Sequence, residues 1–159
     1  LTENLLVAMQ SFDAANWIDA LLRTTRFRRE ADAAQARASE LIALVGLRRY
    51  IDAPVGILSY GQKKLVALAS ALMSKPRLVV LDEPVAGVNP TRIREIEEAI
   101  RTLRAGGETF LIIEHNMEFI MNLCDEVYVF DQGAVLTHGQ PAEVQQDARV
   151  LEAYLGVRA

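Results

Sequence analysis

Leu78-Val79-Val80-Leu81-Asp82-Glu83-Pro84 is the stretch on which the fold of this chain turns. A short apolar run, entered through Pro76 and Arg77, ends in two adjacent carboxylates and a proline. Its length and composition predict a strand over residues 78–82, in a parallel sheet covered on both faces. Open parallel sheets bind ligands just outside the carboxyl ends of their strands. Asp82 and Glu83 would then stand where a ligand arrives. A strand followed by a solvated acidic turn explains the same residues equally well.

Upstream lies Leu58-Ser59-Tyr60-Gly61-Gln62. Leu65, Leu68, Leu72 and Met73 follow at helical spacing, with Ala67, Ala69 and Ala71 between them. Ser59 is a good N-cap, and Gly61 leaves backbone open where the helix N-terminus can receive an anion. Lys63 and Lys64 add positive charge. An ordinary capped core helix is the competing explanation. Nucleotide-hydrolysing enzymes place a magnesium-binding aspartate at a strand end such as that of Asp82.

Working outward, residues 76–159 alternate strand and helix. Strands are expected at 78–82, 109–113, 126–131 and 134–138, the last two joined by a hairpin turn through Asp131-Gln132-Gly133. A helix is expected at 91–105, with Ile93, Ile96, Ile100 and Leu103 on one face and Gly106-Gly107 as its stop. Another is expected at 116–124, carrying Met117, Ile120, Met121 and Cys124, and two short ones at 141–146 and 148–155. Alternation of this kind argues for an α/β fold with a mainly parallel sheet.

Residues 3–57 read as helical and charge-rich. Thr2 would cap a first helix whose apolar side is Leu5, Leu6 and Met9; a second is expected at 15–24 with Trp17 inward. A basic cluster (Arg23, Arg26, Arg28, Arg29) precedes an alanine-rich helix from Glu30 to Val45, with Gly46 at its C′ position. The arginines read as a solvated helix face, or else as a docking surface for a membrane-bound partner.

At 159 residues, 51% hydrophobic and 24% charged, the chain can bury a core and is not of disordered composition. A net charge of −4 gives no broad basic face for nucleic acid. No apolar stretch reaches the ~18 residues of a membrane span, and the opening residues do not form a signal peptide. Cys124 is the single cysteine, so an internal disulfide is excluded, as suits a reducing cytoplasm. It reads as a buried helix residue, and His138 as a surface strand residue.

In this order and spacing, Leu58–Gln62 and Leu78–Pro84 resemble the signature and Walker B motifs of ATP-binding cassette (ABC) ATPases. His115, in Leu111-Ile112-Ile113-Glu114-His115-Asn116, resembles the switch histidine, and Val85-Ala86-Gly87-Val88-Asn89-Pro90 stands in the place of the D-loop. The resemblance covers essentially the whole chain. It implies part of a P-loop NTPase fold, a mainly parallel sheet with helices on both faces, plus an α-helical subdomain. Residues 1–75 would form that subdomain with the signature helix, and 76–159 the second half of the ATPase core.

The resemblance also implies roles. Asp82 would hold Mg2+, Glu83 would act as general base on the attacking water, and His115 would sense the γ-phosphate. Ser59, Tyr60, Gly61, Gln62 and Asn89 would serve ATP held by a facing subunit, two subunits enclosing two nucleotides head to tail. Tyr60 departs from the usual glycine and Asn89 from the usual aspartate.

No G-x-x-x-x-G-K-[ST] occurs in the chain. The phosphate cradle, its lysine and its magnesium-binding hydroxyl are missing from it. Leu1-Thr2-Glu3-Asn4-Leu5-Leu6-Val7-Ala8 resembles the segment after the Q-loop, so the chain reads as a C-terminal fragment lacking the Walker A region. The fragment is expected to be inactive alone, with ATPase activity in its parent.

Local wording, including the tyrosine of the signature and Glu114-His115-Asn116-Met117, is similar to ATP-binding subunits of bacterial branched-chain amino acid importers. Permease subunits and a second ATPase subunit would be the partners, and the inner face of the plasma membrane the location. ATPases of urea or amide import and of lipopolysaccharide export share much of this wording. A truncated, non-catalytic module docking on a permease is a different class of reading. Chromosome-maintenance ATPases share the signature, but their long heptad coiled coils are not seen here.

Overall fold

A computed structural model describes residues 1–9 and 24–155. The chain divides into two compact units, Leu1–Ile113 and Glu114–Ala159. The helix expected over 15–24, with Trp17 and Arg23, lies outside the described residues.

The first unit opens with α1 (Thr2–Met9), α2 (Thr25–Leu44) and α3 (Tyr60–Ala71). Helix α1 packs against both α2 and α3. Leu5, Leu41, Ile42, Leu65, Leu72 and Met73 are fully buried, each such aliphatic side chain contributing roughly 1.5–3 kcal/mol relative to exposure. Thr2 does not cap α1. It lies inside the helix, and its hydroxyl donates to the Ile51 carbonyl at 3.2 Å, while the Leu1 amino group donates to Ala53 O at 2.8 Å. These bonds fasten the start of the chain to the loop before α3.

Helix α2 begins earlier than its alanine-rich stretch suggests, because the Thr24 hydroxyl accepts from Phe27 N at 3.2 Å and caps it. Arg26, Arg28 and Arg29 therefore lie in its first turns, exposed, with Arg26 paired to Glu30 one turn on. The helix ends at Gly46 (φ 74), where Leu47 N bonds Ile42 O at 2.9 Å and Gly46 N bonds Ala43 O at 3.0 Å. This is a Schellman closure, which needs a left-handed residue at C′.

Strand β1 (Val79–Asp82) crosses through α4 (Pro90–Ala105) to β2 (Phe110–Ile113), and the two strands pair in parallel with Val79 opposite Phe110 and Asp82 opposite Ile113. Helix α4 buries Ile96, Ala99, Ile100 and Leu103, with Pro90 in its first turn, and closes at Gly106 and Gly107 (φ 99). Ile93, expected on the same face, is half-buried.

The run 78–82 is not covered on both faces. Val79 is buried, but Leu78 and Val80 are 49% and 56% exposed, as are Leu111 and Ile113 at 52% and 54%. Alternation along a strand sends successive side chains to opposite faces, and the described residues cover only the Val79 face.

The second unit holds α5 (Met117–Leu123), β3 (Val127–Asp131), β4 (Ala134–Gly139), α6 (Pro141–Gln146) and α7 (Ala148–Leu155). β3 and β4 pair antiparallel, with a register shift between Val129 and Phe130. Gln132 (φ 47) and Gly133 (φ 82) make the expected tight hairpin, since two central residues of positive φ match strand twist. Helix α5 buries Phe119, Ile120 and Leu123. Met117 and Met121 are half-buried, and Cys124 lies just past the helix end, half-buried, not inside it. His138 is on the surface as expected, stacked on Tyr128 with ring centroids 5.1 Å apart.

Candidate functional site

Ser59 caps α3 reciprocally. Its Oγ accepts from Gln62 N at 3.4 Å, and Gln62 Oε1 accepts from Ser59 N at 2.9 Å. The S-x-x-Q spacing builds this capping box locally. Gln62 is 4% exposed, with its side chain also beside the Tyr50 hydroxyl. That contact, helped by Arg49 over the Tyr50 ring at 4.7 Å, holds the phenol below its ordinary pKa. The Gln62 side chain thus braces the loop, whereas Ser59 and Tyr60 face solvent.

Gly61 is buried for a steric reason. A Cβ there would lie 3.0 Å from Arg92 Cβ and 3.2 Å from Val88 Cγ1. The turn after β1 and the start of α4 therefore pack directly on the N-terminus of α3. Asn89 caps α4, its Oδ1 accepting from Arg92 N at 3.0 Å.

Asp82 is the last residue of β1 and is exposed; Glu83 is exposed too. Glu83 holds φ 45. The left-handed region is sparsely occupied by non-glycine residues and costs roughly 1–3 kcal/mol, a cost characteristic of functional sites. Three bonds hold it there. Glu83 N donates to Ile113 O at 2.9 Å, extending the parallel ladder, and Glu83 O accepts from Ala86 N at 3.3 Å and from Lys64 Nζ at 3.0 Å.

His115 lies in the second unit, its side chain 71% exposed. Beside it the Glu114 side chain is 1% exposed, and its Oε2 accepts from His115 N at 2.9 Å and from Asn116 N at 3.1 Å. Asn116 then caps α5, accepting from Phe119 N at 3.1 Å. Glu114 orders the histidine turn and was not singled out from sequence. Its only signal is a carboxylate placed directly before two backbone amides that no strand partner claims.

The first unit thus brings together the signature residues, Asp82, Glu83 and Asn89. Among the described residues no cluster of three or more His, Cys, Asp or Glu could enclose a metal. An exposed lone Asp82 suits magnesium, which keeps several waters and takes one or two carboxylates plus phosphate oxygens. A cavity of about 460 Å³ lies behind Gln62, lined by Arg49, Arg92 and Glu95 among others. A groove of about 590 Å³ runs along Met117, Met121 and Pro141 in the second unit. Neither is lined by Asp82, Glu83 or His115.

The profile of the ABC transporter family matches residues 3–86. The chain belongs to the ABC transporter family. A second profile, that of branched-chain amino acid ATP-binding cassette transporters, matches residues 134–159.

The chain is 36% identical over 97% of its length to the high-affinity branched-chain amino acid transport ATP-binding protein BraF of Pseudomonas aeruginosa. The corresponding LivG of Escherichia coli strain K12 gives the same values, and the chain spans 61% of the length of each. The lipopolysaccharide export ATP-binding protein LptB of Acidithiobacillus ferridurans is 38% identical over 77% of this chain and 51% of its own.

Among solved structures, a nucleotide-free ATP-binding cassette from an ABC transporter superposes with TM-score 0.76 at 32% identity, covering 98% of this chain and 62% of that one. An ATP-binding cassette in its ADP conformation gives 0.72 at 36%, covering 79% of this chain and 51% of its own. The fold is therefore that of ABC ATPase cassettes. Among the described residues no helix is long and apolar enough to cross a membrane.

Proposed function

We propose that this chain is the signature, Walker B and switch portion of the ATP-hydrolysing subunit of an ABC importer for branched-chain amino acids. It would pair with a second ATPase subunit and dock on permease subunits at the inner face of the bacterial plasma membrane. The observation that carries the enzymatic reading is the strained, three-bond seating of Glu83 at the end of a parallel strand, next to a capped helix N-terminus. The substrate reading is supported by the profile match at residues 134–159 and by the likeness to branched-chain amino acid transport ATP-binding proteins.

In this reading Asp82 would hold magnesium, which when bound would offset charge on the phosphates. Glu83 accepts the proton of the attacking water as general base. His115 donates a hydrogen bond to the γ-phosphate. The end of α3, with Ser59, Tyr60, Gly61 and Gln62, faces the ATP of the opposite subunit, where backbone N–H groups and the helix dipole favour an anion. Asn89 lies at the crossing between the two sites. Residues 1–75 form the helical subdomain with the signature helix, segment 3–57 facing the permease, and 76–159 act as the hydrolytic part.

A docking module without turnover is the alternative reading. Joining or adding the phosphate-loop segment of a relative separates the two. The hydrolytic reading expects ATP hydrolysis to appear with that segment, and no ATP-dependent thermal shift from the chain alone. Binding to permease without any hydrolysis in the complemented chain would favour the docking module.

A further inference from the structure

Lys64 joins the helix that carries the signature residues to the peptide that presents Glu83. Its Nζ donates to the Glu83 carbonyl at 3.0 Å across 19 residues of sequence. The same Nζ lies 5.7 Å from the centroid of the Tyr60 ring. Tyr60 Cε1 in turn lies 3.5 Å from where a Cβ on Gly87 (φ 70) would stand. The ammonium is thus seated between an aromatic face and a carbonyl oxygen, both of which attract positive charge.

With Glu83 N held on Ile113 O and Glu83 O held by Ala86 N and Lys64, both peptide groups flanking this residue are fixed. The direction in which a carboxylate leaves the chain follows from the backbone dihedrals of its own residue. At φ 45 those dihedrals sit in a narrow well. A general base must reach its water within hydrogen-bond distance, and a misplacement of ~1 Å costs on the order of 10²-fold in rate.

We propose that Lys64 is a positioning residue for Glu83: its bond to the Glu83 carbonyl holds the left-handed turn that aims the carboxylate, and so ties the aim of the base to the signature helix. This rests on the reading of Glu83 as the base. Lys64 itself touches neither water nor phosphate in this scheme.

The test has two parts. In the chain as it stands, amide exchange at Ala86 should quicken on Lys64→Met and stay near wild type on Lys64→Arg, which keeps a donor. In the chain complemented with a phosphate-loop segment, Lys64→Met should lower kcat about tenfold with KM for ATP unchanged, an effect smaller than full misplacement. Lys64→Arg should recover kcat to within about twofold, and Lys64→Met should add nothing to Glu83→Gln.

Unchanged Ala86 exchange, unchanged kcat, or a Lys64→Met loss that persists in full on the Glu83→Gln background would each overturn the proposal. Turnover that survives Glu83→Gln would instead overturn the reading of the base on which it rests. Absence of hydrolysis in the complemented wild type would remove the hydrolytic reading, and the positioning role with it.

Discussion

The turns that follow β1 and β2 are ordered by opposite means. After β1, Glu83 is held in a left-handed conformation by a donor 19 residues away and by the neighbouring strand. After β2, Glu114 organises the His115 turn with its own side chain, accepting from the next two amides. The first turn depends on a donor from a distant helix, and the second carries an acceptor of its own. A substitution in α3 should therefore disturb the first turn, and loss of the Glu114 carboxylate the second.

The largest stability effect is expected at the local turn. Glu114→Ala removes the acceptor of two amides from a side chain that is 1% exposed. Hydrogen bonds to a charged group are worth about 1.5–3 kcal/mol, so the variant should lose about that much in denaturant unfolding. Exchange should quicken at His115 and Asn116 and stay unchanged at Ala86. Quickening at Ala86 as well would show that the two turns are not independent.

Gly61→Ala comes next. The added methyl would meet Arg92 Cβ at 3.0 Å and Val88 Cγ1 at 3.2 Å, and overpacking of this kind costs about 1–3 kcal/mol. Unfolding curves should show the loss, with Glu114-dependent exchange unaffected. A neutral Gly61→Ala would mean that α4 yields easily and that the Glu83 turn is less tightly packed than its contacts indicate.

A smaller effect, confined to the second unit, is expected at Asp147. Two hydrogen bonds from the Arg149 side chain, and a third from the Arg149 amide, hold this carboxyl well below the usual carboxylate range. A depressed folded-state pKa gives stability that is present above the unfolded value of about 3.9 and is lost as pH falls below it. Asp147→Asn should lower Tm at neutral pH, and the gap to wild type should narrow below about pH 4. A gap independent of pH would assign the effect to packing instead.

The same contrast between local and distant causes explains what could be read from sequence. The Ser59–Gln62 capping box, the Gly46 closure, the Gln132-Gly133 hairpin and the placement of Asp82 at a strand end all follow from neighbouring residues, and they were legible. Lys64 was legible only as a charge, since its acceptor arrives through the fold. Gly61 looked like open backbone for an anion, whereas the approach of Val88 and Arg92 gives it a packing reason.

The apolar run at 78–82 announced a strand, but its composition also suggested cover on both faces, whereas Val80 is exposed because the described residues pack only on the Val79 face. Thr2 offered a cap by its type, yet the loop at Ile51 claimed its hydroxyl. The capping side chains Ser59 and Asn89 of the first unit and Asn116 of the second are short polar residues just before a helix. Glu114 acts from two positions before the Asn116 cap and has no comparable sequence signature.

The most direct test of the account compares ATP turnover and ATP-dependent subunit association in the complemented chain, wild type against Glu83→Gln. A positioned general base is worth about 10²–10⁴ in rate. Turnover should fall by at least that lower bound while association with ATP is retained. Turnover within a few-fold of wild type, with association equally intact, would contradict it.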